Sequence, residues 1–494
     1  MLDPPVILTM KSNDAATDFG SSHSSDSVSG GWFGGLSSLR PLLGLTGLFC
    51  TLLVIYASIV PLDYQPLPWE ESIQRWSSIP WLELGVWERA DWIANTLIFM
   101  PSAFLLCGYF FSTDRRSVFG LALKWVTVVA MLSLLVLLVE LIQIWFPPRT
   151  VSWNDVAAGV AGVALGGIVW LIIGPVLGRT VVGLLQSRPL STKAATVTAL
   201  TMLICFLYSL YPFDIILSVT ELEEKRVAGR LRWWTDISVA GWLSIAQSWV
   251  LAALRLFPFG VWLGWKARPF WAFLGICFMA AFFEALQVPI FSKHAAGDEV
   301  PAGIVGGLAG WLLIAKSALW RKVFNQPATW FLAFAIYAIL LPGLFLARSH
   351  TLVTDPQAIQ ERWWGMLSPP LSRYYYTSEY SALSNLAGKM GMFGVLGLLV
   401  AGYTLSRFGY ARRFPVVSGF VFAATIGTMI EIFQVYHSPY IADLSDIIIY
   451  LMGYSFGAIA GFWFLADPTQ EYEGSKMKIA SVTSHALGQV REKA

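Results

Sequence analysis

Long apolar runs, broken by few polar residues and closed by charged or Pro-containing segments, follow one another from about residue 40 to about residue 465. Each is near the ~20 residues that a helix rising 1.5 Å per residue needs to cross a hydrocarbon layer. They predict twelve membrane helices, at about 42–61, 93–111, 122–146, 154–175, 196–213, 240–264, 270–290, 300–320, 329–347, 386–405, 415–435 and 444–465. Inside them one polar pattern returns three times. A Glu is followed three residues on by Gln, then twelve further by an acid, then by two Gly four apart: Glu140, Gln143, Asp155, Gly162, Gly166; Glu284, Gln287, Glu299, Gly306, Gly310; Glu431, Gln434, Asp446, Gly453, Gly457.

The register holds without gaps, and the copies lie 144 and 147 residues apart (284 − 140 and 431 − 284). A repeat of that size is a domain rather than a solenoid unit. The predicted fold class is therefore all-α: a polytopic integral membrane protein of about 12 transmembrane helices in three parallel four-helix repeats, at 39–178, 194–324 and 328–466. Four crossings per repeat is an even number, so the copies share one orientation. Residues 1–38, rich in Ser, Gly and Asp, predict a disordered cytosolic tail rather than a cleavable signal, and 467–494 a polar cytosolic tail.

Composition fits a bilayer: 56% hydrophobic residues against 13% charged, where soluble domains carry about 25% charged. The net charge of +2 implies no nucleic-acid partner. Cys50, Cys107, Cys205 and Cys277 lie within apolar runs, with no spacing that makes a metal cage or disulfide framework. Arg115, Arg116, Arg179, Arg188, Lys193, Lys266, Arg268, Lys316, Arg321, Lys322, Arg407, Arg412 and Arg413 fall on one set of alternate loops. By the positive-inside rule that side is the cytosol, with both termini on it. The longer opposite loops, about 62–90, 214–238 and 348–382, are rich in Trp and Tyr, as membrane–water interfaces are.

Glu and Gln three apart share a helix face. With the third helix read to end at Pro147-Pro148, Glu140 falls about 10 Å below that end, and Asp155 opens the next helix. An ionised carboxylate at the bilayer centre costs about 3 kcal/mol on insertion scales, so Glu140 requires a partner, and Arg149 is the expected one. The preceding helix adds Asp91 and Asn95; the matching positions are Ser248 and Ala252 in the second copy, Asn385 and Lys389 in the third. The candidate ligand-binding cluster is thus Asp91, Asn95, Glu140, Gln143, Arg149 and Asp155, with Glu284, Gln287, Lys293 and Glu299, and with Lys389, Glu431, Gln434, Asp443 and Asp446. The Gly pairs are read as packing positions for close helix approach. His294 and His437 lack partners for a zinc set, and Glu70-Glu71 with Arg75 matches a membrane-protease EExxxR by chance, since no HxxxN follows.

The pattern DxxxNxxxFxP (Asp91, Asn95, Phe99, Pro101), then ExxQ, then Arg149-Thr150 with Asp155 six residues after the Arg, then paired Gly, resembles the VanZ-like membrane proteins, in three tandem units. The first unit fits best. It has Gly159 where the family usually has Asn and Ser152 where an acid is frequent; the second has Lys293 for the Arg and Glu299 for the Asp; the third has Tyr440 for the Arg, Asp443 at the additional acidic position and Tyr450 for the Asn. The resemblance implies a bacterial inner-membrane protein in a cell-envelope setting, the family name deriving from low-level teicoplanin resistance, and it implies no reaction.

Three functions are compatible with these residues. Outward-facing polar clefts hold membrane lipids or a lipid-linked glycan; or one Glu serves as general base for transfer or hydrolysis on such a lipid; or the network is a scaffold for envelope-polysaccharide machinery. No cofactor or metal is expected, and no GxxxxGK loop is present for nucleotide.

Overall fold

The computed structural model describes residues 39–83, 85–111, 118–147, 149–185, 190–235, 242–346, 351–377, 379–409 and 414–465. Both predicted tails lie outside these residues, as do Arg115, Arg116, Arg188, Arg412 and Arg413. The regular structure of the described residues is helical apart from four two-residue strands. The helices are α1 (Arg40–Ile59), α2 (Trp69–Ser77), α3 (Val86–Phe111), α4 (Val118–Gln143), α5 (Trp153–Leu185), α6 (Leu190–Leu210), α7 (Val219–Val227), α8 (Trp242–Lys266) and α9 (Pro269–Gln287). They continue as α10 (Glu299–Ala315), α11 (Ser317–Phe324), α12 (Pro327–Phe345), α13 (Pro356–Met366), α14 (Ser372–Tyr375), α15 (Glu379–Phe408), α16 (Phe414–Tyr436) and α17 (Leu444–Leu465).

Among the described residues eleven helices are long and apolar enough to cross a membrane, or twelve if α10 and α11 count as one bent span. Large apolar side chains such as Leu52, Met131, Ile172, Ile204, Ile339 and Phe456 are exposed along them. A bilayer satisfies such surfaces, and helices satisfy their own backbone within it. Several helices run longer than expected, as α3, α5, α6 and α15 do, and two other boundaries move inward. The expected span at 300–320 stops at Ala315, and the chain turns by 76° into α11, whose exposed Leu319, Trp320 and Phe324 suit an interfacial helix beside Lys316 and Lys322. The helix expected to run to Pro147-Pro148 ends at Gln143, because the amides of Ile144, Trp145 and Phe146 bond three residues back and tighten the last turn.

The spanning helices pack in the same way three times. α3 lies against α5, α8 against α10 and α15 against α17; α1, α6 and α12 flank the first helix of each pair, and α4, α9 and α16 the second. The paired glycines make the close approach possible. A Cβ at Gly162 or Gly166 would overlap the carbonyls of Thr96 or Met100; at Gly306 or Gly310, those of Ala253 or Phe257; at Gly453 or Gly457, those of Met390 or Gly394. Thr96, Ala253 and Met390 therefore occupy one register, and Asn95, Ala252 and Lys389 precede them. Each trio of contacts has its own apolar core, around Phe99 and Val136, around Leu256 and Phe283, and around Phe393 and Ala423.

At the helix ends that carry the Glu and Gln residues, short elements fold across the bundle. β1 (Leu231–Arg232) pairs in parallel with β2 (Ala295–Ala296), and β3 (Thr351–Leu352) pairs antiparallel with β4 (His437–Ser438). The described basic residues Lys193, Lys266, Arg268, Lys316, Lys322 and Arg407 stand at the opposite helix ends.

The three sets of helices interlock at both ends. Arg89 pairs with Glu221 at 2.9 Å, and the Tyr56 hydroxyl donates to the carbonyl of Pro370. At the basic end the buried Lys193 ammonium donates to the Trp463 carbonyl at 2.8 Å, joining α6 to α17.

Candidate functional site

In all three sets the Glu lies near the C-terminal end of its helix (α4, α9, α16), and the acid that follows lies in the first turn of the next (α5, α10, α17), where the helix dipole favours a carboxylate. All three Glu, all three Gln, Asp443 and Asp446 are buried. The clusters differ in how their charges are satisfied.

In the second, Glu284 is saturated. Arg255 donates to Oε1, Gln287 Nε2 donates to the same oxygen at 3.0 Å, and the Ala296 amide donates to Oε2 at 3.2 Å. The same guanidinium stands 3.7 Å from Glu299. Arg255 was not among the sequence candidates, because the register position one residue before the glycine contact holds Ala252. The cation enters three residues later on the same face. The legible signal was a lone Arg inside LAALRLF, since an intramembrane Arg requires a partner. Lys293 lies 4.2 Å above the Tyr208 ring. Burial pulls its ammonium down to about 8, with Arg255 adding to the effect and Asp214 and Glu299 opposing it.

In the third, the Tyr450 hydroxyl donates to Glu431 Oε1 at 2.7 Å, and the Asp443 amide donates to Oε2 at 2.9 Å. Asp446 accepts from Lys389 and, at 2.7 Å, from the Tyr374 hydroxyl. Tyr450 stands where the other copies have Gly159 and Gly303. Its ring stacks on Phe393 at 4.3 Å and packs against Gly427, whose counterparts four residues before the Glu are Val136 and Ala280. The large residue and the small one have exchanged helices, so Tyr450 finds room over Gly427.

The first cluster is the least satisfied. Glu140 is 6% exposed, and its buried Oε2 has no hydrogen-bond partner among the described residues. The twelfth residue after Glu140 is Ser152, whose hydroxyl donates to Asp155 Oδ2 at 2.7 Å. Asn95 donates to Asp155 Oδ1, and Gln143 Nε2 turns away to the Ser58 carbonyl at 3.0 Å. Arg149, the expected partner of Glu140, donates to the Ala57 carbonyl, and its guanidinium lies 4.3 Å from the Tyr375 ring of the third set. The charges of Asp155, Arg149 and Asp91 all act on Glu140. Two exposed Trp residues stack beside the cluster's own segments: Trp69 on Trp145, two residues after Gln143, and Trp81 on Trp153, two before Asp155. The loop carrying Trp81 is pinned by Asn154, which exchanges two hydrogen bonds of 3.0 Å with Leu82.

Two further cations hold the loops. Lys225 donates to the carbonyls of Gln287, Val288 and Ile290, and Arg362 to those of Gln434, Val435, His437 and Tyr440, closing the ends of α9 and α16. No spacing in the sequence distinguishes them from solvated loop charges. Burial holds Lys225 at about 8 against the pull of Asp214. A free lysine titrates near about 10.4, so between about pH 8 and pH 10 the unfolded chain binds more protons than the folded one, and stability rises with pH. The melting temperature is expected to climb from pH 7.5 to 9.5, and Lys293→Met to flatten part of that climb. A profile unchanged by the substitution would contradict the assignment.

Fold and site together describe a multi-pass helical membrane protein with polar clusters buried at one end of its bundle. Residues 46–174, which run from α1 into α5, match the VanZ/LLP1 family model, so this segment is VanZ-like. No curated protein and no solved structure was found to match the chain.

Proposed function

We propose that the chain is three tandem VanZ-like units in a bacterial inner membrane, with both termini cytosolic, and that the first unit binds the headgroup of an envelope lipid or lipid-linked glycan at its outward-facing cluster. The observation that carries this reading is Glu140. It is the one repeat Glu with a buried carboxylate oxygen that has no hydrogen-bond partner among the described residues, and the family match falls on the unit that contains it. Arg149, presenting a guanidinium fork, would meet a phosphate, and Trp69 and Trp81 would stack on sugar rings or seat in the headgroup layer. Support for the triplication is the common glycine register and the equal helix packing. In the second and third clusters both oxygens of the repeat Glu accept hydrogen bonds, which favours a scaffold role for Glu284 and Glu431 and binding for Glu140.

Native mass spectrometry of the detergent-purified protein tests this reading against a variant carrying Glu140→Ala, Arg149→Ala and Asp155→Ala. A lipid or glycolipid held by the parent and lost by an equally stable variant is the expected result. The same bulk phospholipids on both would overturn it.

A further inference from the structure

The second and third clusters each contain a cation where the first has none built in at the same place. Asn95, Ala252 and Lys389 share one register on the helix that receives the paired glycines. In the third cluster Lys389 carries its ammonium to Asp446, with the Tyr374 hydroxyl 3.1 Å away. In the second, Arg255 stands three residues beyond Ala252 and lies between Glu284 and Glu299. In the first, the register position is the neutral Asn95, which satisfies one oxygen of Asp155 and brings no charge.

The acids at the first cluster are Asp91, Glu140 and Asp155, and the cation among the residues acting on Glu140 is Arg149. Tyr450, whose hydroxyl donates to Glu431 in the third cluster, is replaced by Gly159, so that donor is also lacking. Glu140, more than nine-tenths buried, points an unpartnered oxygen into this region. The groups bonded to Glu284, Glu431 and Asp446 thus serve as casts of what the first cluster accepts: a group that donates hydrogen bonds and carries positive charge.

We propose that the first cluster binds a primary ammonium, carried on a headgroup entering past Trp69 and Trp81, with Glu140 and Asp155 as its acceptors. This rests on the headgroup-binding reading and narrows it. The shared chemistry is the amine, and either an aminoethyl phosphate headgroup or an amino sugar supplies it. In the first case the adjoining phosphate falls to Arg149.

The test uses the full chain in detergent, with thermal melts in the presence of a short-chain phosphatidylethanolamine, the phosphatidylcholine of the same chains, or glucosamine. The expected result is a rise of about 2 °C or more with a primary-amine probe near saturation and none with the trimethylated lipid. Asn95→Lys, which installs the cation of the third unit, should abolish the rise without lowering the variant's own melting temperature. Glu140→Gln should abolish it as well, and serves if the Lys variant fails to fold. A response to glucosamine but not to phosphatidylethanolamine supports the proposal and assigns the amine to a sugar. Equal shifts with both phospholipids, no shift with any amine, or a shift that persists in Asn95→Lys would overturn it. If the lipid found by mass spectrometry carries no amine, the headgroup reading stands and this inference falls.

Discussion

Gly457→Val is expected to prevent α15 and α17 from packing and to remove most folded protein from the membrane fraction. A Cβ at Gly457 would overlap the carbonyl of Gly394, and one at Gly453 that of Met390. Both obstacles are backbone, so no rotamer change relieves them. Overpacking a core costs about 1–3 kcal/mol where side chains can give way, and more where they cannot. Separating the two helices would also pull Lys389 off Asp446 and undo the stacking of Phe393 on Tyr450. Gly306→Val should act alike on α8 and α10, where the neighbour is the Ala253 carbonyl. Gly343→Ala, with nothing within 4 Å of its added Cβ, is the control expected to leave the protein intact. Size-exclusion profiles and melting curves of the three variants measure the difference; equal behaviour of Gly457→Val and Gly343→Ala would contradict the close-packing account.

The second large effect falls on Glu284. Glu284→Leu removes the acceptor for Arg255 and leaves that guanidinium buried beside Glu299 at 3.7 Å, with Gln287 and the Ala296 amide also losing their acceptor. Removing one partner of a buried ion pair costs about 3–5 kcal/mol. Glu431→Leu removes no ion pair, but strands the Tyr450 hydroxyl and the Asp443 amide, at about 1–3 kcal/mol each. Glu140→Leu takes away a buried oxygen that has no hydrogen-bond partner among the described residues, so it should cost little stability. The same sequence motif is therefore expected to give three different energies.

The all-α, many-span class and the closest helix contacts were legible because hydropathy and the glycine spacing report on bilayer thickness and helix approach, both of which act locally. The acids and glycines fell where their register put them, and the correspondence of Asn95, Ala252 and Lys389 follows from the same register. What escaped was the source of compensating charge. Arg255, Lys225 and Arg362 reach their acceptors from other helices and loops, across 29, 62 and 73 residues of chain. Such partners are chosen by the tertiary fold and not by spacing. The exchange of Tyr450 with Gly427 for Gly159 with Val136 is a second case, visible only when facing helices are seen together. So too is the reach of Tyr375 from the third set over Arg149 of the first, held by the anchoring of Tyr374 on Asp446.

The measurement that bears most directly on this account is the melting temperature of Glu140→Leu, Glu284→Leu and Glu431→Leu, prepared in the same detergent and compared with the parent. Large losses for Glu284→Leu and Glu431→Leu with little change for Glu140→Leu are the expected result, marking the first carboxylate as free of structural duty and available to a ligand. A loss for Glu140→Leu as large as the other two would make it one more strut in the scaffold and contradict the account.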